Sequence, residues 1–271
     1  MEYIPQLLTV AVLLASLALW GVIFERLSTS EPLLPCRIPA TRPRPATAVT
    51  IVGIWVVYMV YLVVSLQLAG HERKLPDTNL RDALRITGGN ILEQCIVASI
   101  MVMTLSGLGV RGLNRYGIDR RRMPEKLGWG VQGYIASVIP VVLVSVLMKG
   151  FHNPDNKHPF LQLLDQQQSA SLVALLLIST VIMAPISEEL MYRVILQGSL
   201  QRWMPPWAAI ASSSVLFSAV HGFPDAISLL PLAGILGFLY WRTGSYLSVV
   251  TAHAAFNGFN ILMALLGVGQ E

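Results

Sequence analysis

Two adjacent carboxylates inside an apolar stretch are the first sign of chemistry in this sequence. Glu188 and Glu189 follow an uncharged run, and Arg193 comes four residues after the second of them. Positions four apart share a helix face, so Glu189 and Arg193 are predicted to pair, with the acid on the N-terminal side. Glu188 points about 100° away around the helix and cannot share that partner equally. The spacing therefore predicts one structural carboxylate and one that is available for another task.

Two histidines and an asparagine follow in the next apolar segments. His221 ends the apolar run 217–220, and His253 lies in the last run with Asn257 four residues later on the same helix face. Alone, each histidine is more often a hydrogen-bonded core residue than a catalyst. An ionisable side chain at the centre of a membrane helix costs about 2.5–3.5 kcal/mol, so several together indicate a functional site. The alternative is that both acids belong to one structural ion-pair cluster.

Helix geometry gives an estimate of how deep these residues lie. At 1.5 Å per residue, Glu188 and His221 both lie roughly 21 Å from the turn that connects their helices. His253 lies roughly 10 Å beyond the start of its helix, on the same side. Glu188 and His221 are therefore predicted at one level, and helix tilt or a longer break is needed to bring His253 to them.

The composition of the chain requires lipid as the solvent for these elements. Of the 271 residues, 54% are hydrophobic and 13% are charged, whereas soluble domains carry about 25% charged residues. A bilayer core about 30 Å thick needs roughly 20 apolar residues in a helix. The sequence predicts an all-α, polytopic membrane helical bundle of about eight transmembrane helices. Their apolar runs are residues 3–24, 46–70, 91–110, 127–148, 170–202, 207–220, 226–241 and 246–268.

The polar segments between these runs indicate the arrangement of the bundle. Residues 25–45 are rich in Pro and Arg and are predicted to form an extended tether, and residues 109–126 form a basic loop. The loops on the side of this basic segment hold most of the 19 Lys and Arg, which places it in the cytoplasm and both termini outside. The basic residues do not cluster on a helix face as they do in nucleic-acid-binding proteins, so nucleic acid is not an expected partner. Residues 3–24 are expected to stay as a helix rather than be cleaved as a signal, since only Glu2 precedes them as a charge.

Three short motifs, in order, resemble those of one family. Glu188 to Arg193 looks like the EExxxR motif of the CAAX protease and bacteriocin-processing (CPBP, or Abi) family, Phe217 to His221 like its FxxxH motif, and His253 to Asn257 like its HxxxN motif. Pro185 is a typical companion of the acids. The resemblance covers about residues 170–266. It divides the chain into N-terminal membrane helices and basic loops, 1–169, and a CPBP-like catalytic helical core, 170–271.

The resemblance implies an intramembrane endopeptidase, similar to the type II CAAX prenyl endopeptidases, which cut the last three residues from prenylated proteins. It implies four catalytic residues: Glu188, His221, His253 and Asn257. The glutamate would activate water with help from His221, and the other two would hold the developing oxyanion. Glu189 and Arg193 would brace these groups. The substrate would be a membrane-associated peptide or protein in the lipid bilayer, and the expected location is the plasma membrane of a prokaryote.

Two alternatives stay open from the residues themselves. Glu188, His221 and His253 are also the ligand types of a zinc site with one position open. The version without a cofactor is favoured, because no second acid remains as a base if Glu188 binds zinc. As for function, the alternatives are a non-catalytic membrane regulatory or immunity protein and a proton-coupled transporter. A non-catalytic relative usually lacks motif residues, whereas this sequence has all of them. A transporter needs a series of polar groups across the bilayer, whereas the polar residues here are predicted to meet at one place.

Overall fold

The structure, a computed structural model, is a bundle of membrane-length helices. It describes residues 3–34, 79–106, 110–151 and 169–267, with the single positions 49, 53, 56, 162 and 163. Within these ranges six helices are long and apolar enough to cross a membrane, which confirms an all-α integral membrane bundle. They are α1 (Ile4–Ser28), α2 (Leu80–Ser106), α3 (Met123–Phe151), α4 (Ala170–Leu200), α6 (Asp225–Thr243) and α7 (Tyr246–Leu265). A shorter apolar helix, α5 (Pro206–Ala219), lies between α4 and α6.

The helix bounds differ from the predicted apolar runs mainly at charged ends. α1 continues through Glu25 to Ser28, so the predicted tether can begin only after it. α2 begins at Leu80 rather than 91, because the Asn79 side chain accepts a hydrogen bond from the backbone N–H of Asp82 at 3.0 Å and caps the first turn. Of the predicted helix over 46–70 the structure describes only positions 49, 53 and 56, which are helical, and residues 35–45 of the tether lie outside the described ranges. The count of eight helices therefore stays a prediction.

α3 lies at the centre of the bundle, where it packs against α1, α6 and α7. Its Pro140 has no N–H, so the carbonyl four residues earlier, that of Ala136, loses its normal partner. The indole N–H of Trp20 on α1 donates to this carbonyl at 3.0 Å. The Ser16 hydroxyl accepts from the N–H of Ile139 at 3.3 Å. The proline thus supplies the point at which α1 docks. α3 belongs to the first predicted part of the chain and packs with α6 and α7 from the second. The division of the chain at residue 169 stays a prediction.

α4 carries the two acids and is irregular on both sides of them. It widens to π-helix at Ile178–Met183 and again at Leu190–Gln197, with the α-helical turn Ala184–Glu189 between. In the first wide turn the N–H of Ala184 donates to the Ser179 carbonyl, five residues back. Such widenings occur frequently at functional sites because they change which side chains share a face.

The segment before α3 holds the start of α7 in place. The N–H of Tyr246, the first residue of α7, donates to the Gly117 carbonyl at 3.2 Å, and the Tyr240 hydroxyl donates to the Tyr116 carbonyl at 3.1 Å. Gly117 has φ +78°, and a Cβ there would overlap the carbonyl oxygen of Gly244. Only glycine allows both the backbone conformation and this approach. The position of α7, which carries His253, therefore depends on a turn outside the membrane helices.

An ion pair at the edge of the membrane fastens the same segment to α3. Lys126 Nζ lies 2.7 Å from Asp119 Oδ1, with only 7% and 19% of the two side chains exposed. Burial opposes ionisation of Asp119, but hydrogen bonds from Lys126 and from the backbone N–H of Arg121 outweigh it and lower the pKa of this carboxyl. The charged form is therefore the one that stabilises the fold.

We expect Asp119→Asn to lower the unfolding temperature of the detergent-solubilised protein by more at pH 7 than at pH about 3. The folded carboxyl has the lower pKa, so its stabilisation is present above the unfolded pKa of about 3.9 and is lost as the pH falls through the folded value. At pH 7 the loss should be about 1–2 kcal/mol. Glu125→Gln, in the more exposed pair with Arg122, is the control and should change stability less. An equal difference at both pH values would contradict this role of Asp119.

Candidate active site

Glu189 is the acid at the centre of the polar cluster, and both of its oxygens are engaged. Oε2 accepts from Arg193 Nε at 2.9 Å, and Oε1 accepts from His253 Nδ1 at 2.8 Å. The side chains of Glu189 and Arg193 are both 0% exposed. The ion pair predicted from the spacing is thus present, and it is completely removed from solvent. Such a pair needs further hydrogen bonds to offset its desolvation, and the contact from His253 on α7 is one of these.

The hydrogen bonds determine which nitrogen of each histidine carries a proton. The Glu189 carboxylate, paired with an arginine, can only accept, so His253 Nδ1 is the donor. A carbonyl also only accepts, so the Nδ1 of His221 donates to the Phe217 carbonyl at 2.9 Å. In the neutral ring the other nitrogen, Nε2, then has a free lone pair. Both histidines therefore present Nε2 as the atom available for chemistry.

Glu188 differs from its neighbour in having unused hydrogen-bonding capacity. Its side chain is 30% exposed, yet its Oε2 is buried and has no hydrogen-bond partner within the described part of the chain. The nearest ionisable group is His253, whose Nε2 lies 3.9 Å from that oxygen, too far for a direct hydrogen bond. A buried carboxylate oxygen without a partner is rare in proteins. Of the two acids, Glu188 is the one that can accept a proton from another molecule.

Phe217 is the apolar centre around which the motif residues are arranged. Its ring centroid lies 5.0 Å from that of His221 and 5.6 Å from that of His253. The Tyr192 ring packs edge-on against it at 5.2 Å, and the Arg193 guanidinium lies over its face, 5.1 Å from the centroid. The last contact is a cation–π interaction, which stabilises a charge that burial has desolvated. The structure thus brings His221 and His253 to the same aromatic ring.

Asn257 has a bonding partner that the sequence does not predict. Its side-chain amide donates to the Thr180 carbonyl on α4 at 2.8 Å. That carbonyl has lost both usual backbone donors, because the N–H of Ala184 bonds to Ser179 instead and the next residue, Pro185, has no N–H. Asn257 therefore replaces a missing backbone hydrogen bond of α4. One of its two amide protons is committed to this bond.

α7 begins beside the acids rather than at the far end of α4. The Tyr246 hydroxyl donates to the Ile186 carbonyl at 2.6 Å, and His253 contacts Glu189 directly. The vertical gap estimated for His253 is therefore absent. The estimate was wrong because it assumed that α7 starts at the level where α4 ends. Tyr246 was outside the predicted set, and its only signal in the sequence is its place at the start of the last run.

Two further polar residues, Ser213 and Gln197, are linked to this cluster through Arg193. Ser213 on α5 accepts a hydrogen bond from Arg193 Nη1 at 3.4 Å, and its hydroxyl lies 3.4 Å from Gln197 Oε1. Neither residue was in the predicted set. Gln197 had a usable signal, since it follows Arg193 by four residues and Glu189 by eight, which is the spacing of one helix face.

The three residues with zinc-ligand chemistry do not form a compact cluster. Within the part of the chain that the structure describes, no three His, Cys, Asp or Glu side chains lie close enough together to hold a metal ion. Glu188, His221 and His253 still have suitable atoms, since both imidazoles offer Nε2 and a carboxylate is a normal ligand. These three would hold a metal if they moved together.

Comparison with known families finds a match for the part of the chain that carries these residues. Residues 170–259 match the family described as Type II CAAX prenyl endopeptidase Rce1-like, so this segment is similar to CAAX proteases. The match runs from the start of α4 to the end of the third motif. Searches of curated proteins and of solved structures gave no match to the chain.

We expect Asn257→Ala to destabilise the protein as well as to affect any activity. Removing the amide leaves the Thr180 carbonyl without a donor in an apolar environment, which costs about 1–3 kcal/mol. Thermal unfolding in detergent measures this loss. Asn260→Ala is the matched control, because Asn260 lies one turn further along α7 and is exposed. If the two variants unfold at the same temperature, the bond to Thr180 contributes nothing to stability.

Proposed function

We propose that this protein is an intramembrane endopeptidase in which Glu188 activates water for attack on a peptide bond of a membrane-associated protein or peptide. The match of residues 170–259 to a CAAX prenyl endopeptidase family supports the reaction class. One observation supports the choice of base: Glu188 Oε2 is buried, without a partner among described residues, and 3.9 Å from His253 Nε2. The proposed location is the plasma membrane of a prokaryote.

The distance between these two atoms suits a shared water molecule. Two hydrogen bonds of about 2.8 Å that meet at a water at roughly a right angle span about 4 Å. Such a water would donate one proton to Glu188 and would accept a hydrogen bond from His253 when Nε2 of that ring carries a proton. Water-mediated contacts of this kind are nearly as favourable as direct ones. The pair would therefore bind and orient the nucleophile before the substrate arrives.

In the proposed reaction Glu188 acts first as base and then as acid. It takes a proton from the water as the water oxygen bonds to the carbonyl carbon, which gives a tetrahedral oxyanion. It then delivers this proton to the leaving nitrogen as the C–N bond breaks. The immediate products are a carboxylic acid and an amine; the acid then gives up its proton, so that they leave as a carboxylate and an ammonium. His221, with its free Nε2 lone pair, would assist by accepting a hydrogen bond from the water.

Two donors are proposed for the oxyanion. When His253 is protonated, its Nδ1–H remains bonded to Glu189 while Nε2–H becomes a donor. Asn257 would supply the amide proton that does not bond to Thr180. Preorganised donors of this kind contribute strongly to acyl-transfer reactions.

A mainly apolar groove at the depth of Glu188 suits a substrate with an apolar anchor. This shallow groove between α4 and α7 is lined by Val181, Ile182, Ile186, Val250, Thr251, Ala254 and Ala255. Ile186 is two residues before Glu188, so the groove lies within one turn of the proposed base along the axis of α4, on a different face of that helix. The family name refers to prenyl substrates, and a prenyl chain is an anchor of this chemistry. We propose a prenylated peptide as the substrate class to assay first.

We expect Glu188→Gln to lower kcat by at least about 10³-fold, within the range for loss of a general base, with little change in unfolding temperature. The assay uses protein in liposomes, a farnesyl-cysteine peptide extended by three residues, and mass spectrometry of the products. Glu189→Gln is the matched comparison. It should lower folded yield, because breaking a fully buried ion pair costs roughly 3–5 kcal/mol.

The reverse pattern, with an active Glu188→Gln and a folded but inactive Glu189→Gln, would exchange the two roles. If wild type binds the peptide without cleaving it, the regulatory alternative is supported instead. Proton-coupled flux across the same liposomes would support the transporter.

We expect the activity to be independent of metal. Purified protein should contain far less than one zinc per chain by elemental analysis, and cleavage should survive prolonged chelation. His253→Ala should then lose rate by roughly 10²–10³, the usual loss for an oxyanion donor. Stoichiometric zinc, with activity lost on chelation and restored by zinc, would replace the glutamate–water mechanism. It would leave the peptidase proposal intact.

A further inference from the structure

We infer that Gln197 and Ser213 are positioning residues, which hold His253 in its working orientation through a buried chain of hydrogen bonds across four helices. The link to catalytic rate rests on the proposed function. The link to the orientation of His253 does not, since it depends only on the contacts between these side chains.

The hydrogen-bond chain begins at the backbone of α6. Gln197 Nε2 donates to the Gly237 carbonyl at 2.9 Å. Because a carbonyl only accepts, the amide nitrogen must face α6, and Gln197 Oε1 therefore faces Ser213 on α5, 3.4 Å from its hydroxyl. That hydroxyl also lies 3.1 Å from the Ile210 carbonyl. Ser213 can donate its single proton to either acceptor.

The remaining links lead from Ser213 to the proposed site. Arg193 Nη1 donates to the Ser213 hydroxyl at 3.4 Å, and Arg193 Nε donates to Glu189 at 2.9 Å. Glu189 in turn accepts from His253 Nδ1. Each group thus orients the next, and the last one faces Glu188 with its Nε2. Gln197 acts on the reacting atoms only through these intermediates.

All side chains of this hydrogen-bond chain are buried. Gln197, Ser213, Arg193 and Glu189 are all 0% exposed, and His253 is 3% exposed. Water therefore has no direct access with which to replace a lost partner, and hydrogen bonds in such a setting are strong but costly to break. Arg193 Nη2 has no hydrogen-bond partner within the described ranges. Its hydrogen-bond partners in these ranges are thus Glu189 and Ser213, so removing Ser213 takes away the hydrogen bond that holds the Nη1 end of the guanidinium.

Gly237 shows how closely Gln197 lies against α6. A Cβ at this position would lie 2.9 Å from Gln197 Oε1 and 2.9 Å from Ile210 Cγ2. These distances are shorter than van der Waals contact, so one neighbour would have to move. Gly237→Ala therefore displaces the amide without removing any polar group of the chain.

The test measures the orientation of His253 and the rate separately. The sequence has only five histidines, so ¹⁵N-histidine labelling in detergent resolves their ring protons, and His253→Gln identifies the Nδ1–H resonance. In Ser213→Ala, Gln197→Leu and Gly237→Ala we expect this resonance to shift or broaden. On the farnesyl-cysteine peptide, kcat should fall by roughly 10- to 100-fold, as for a misplaced catalytic group. KM should change by no more than about twofold, because substrate binding is not altered.

Two of the variants, Ser213→Ala and Gln197→Leu, have a control of the same chemistry outside this hydrogen-bond chain. Ser214→Ala removes the neighbouring buried hydroxyl, and Gln201→Leu removes a buried amide one turn further along; neither Ser214 Oγ nor Gln201 Nε2 has a hydrogen-bond partner in the described structure. Both should leave the resonance and kcat as in wild type. A resonance and a kcat in Ser213→Ala that match those of Ser214→Ala would overturn the inference.

The outcomes separate this inference from the proposed function. If Gln197→Leu does not fold, Ser213→Ala, which removes one oxygen, still decides. If wild type does not cleave, the proposed function fails, and the resonance alone tests the inference. A resonance that moves while kcat stays constant would show that the chain orients His253 without serving catalysis, and would overturn the positioning role.

Discussion

The fully buried carboxylate of Glu189, bound between Arg193 on its own helix and His253 on α7, is the interaction on which the rest of the site depends. A charge in this position is tolerable only with a fixed cation and a second donor. These requirements specify the distance and rotation of α7 relative to α4. They also fix the proton of His253 on Nδ1 and so direct Nε2 towards Glu188. The division of labour between two adjacent acids follows from this single constraint.

The helices that surround the site are held by polar groups that the backbone releases. Pro140 frees the Ala136 carbonyl for Trp20, and Pro185 helps to free the Thr180 carbonyl for Asn257. In lipid a free carbonyl cannot bond to water, so a side chain from a neighbouring helix has to satisfy it. Without a hydrophobic driving force between membrane helices, such bonds and close packing specify which helices associate. The same irregularities that weaken a helix locally therefore define the bundle.

Much of this arrangement could be predicted from the sequence. Apolar run length predicted the helices from α3 to α7 to within about four residues at each end, and spacing predicted the pair of Glu189 and Arg193. The level of His253 could not be predicted, because rise per residue contains no information on where α7 begins beside α4. The partner of Asn257 depends on a π-helical turn, which apolar periodicity does not reveal. Ser213 was hidden among similar serines, since its hydrogen bonds, and neither its identity nor its burial, distinguish it from Ser214.

Pro185 has a further consequence for the chemistry that Asn257 can perform. As long as residue 185 lacks an N–H, the asparagine amide is partly occupied in closing a gap in α4, and it has a single proton left for a reacting carbonyl. A residue with an N–H at 185 could close that gap from the backbone, and the amide would become a two-proton donor that is no longer tethered. Pro185 thus determines how many protons the amide of Asn257, seventy-two positions later in the chain, can donate, and how firmly that amide is held.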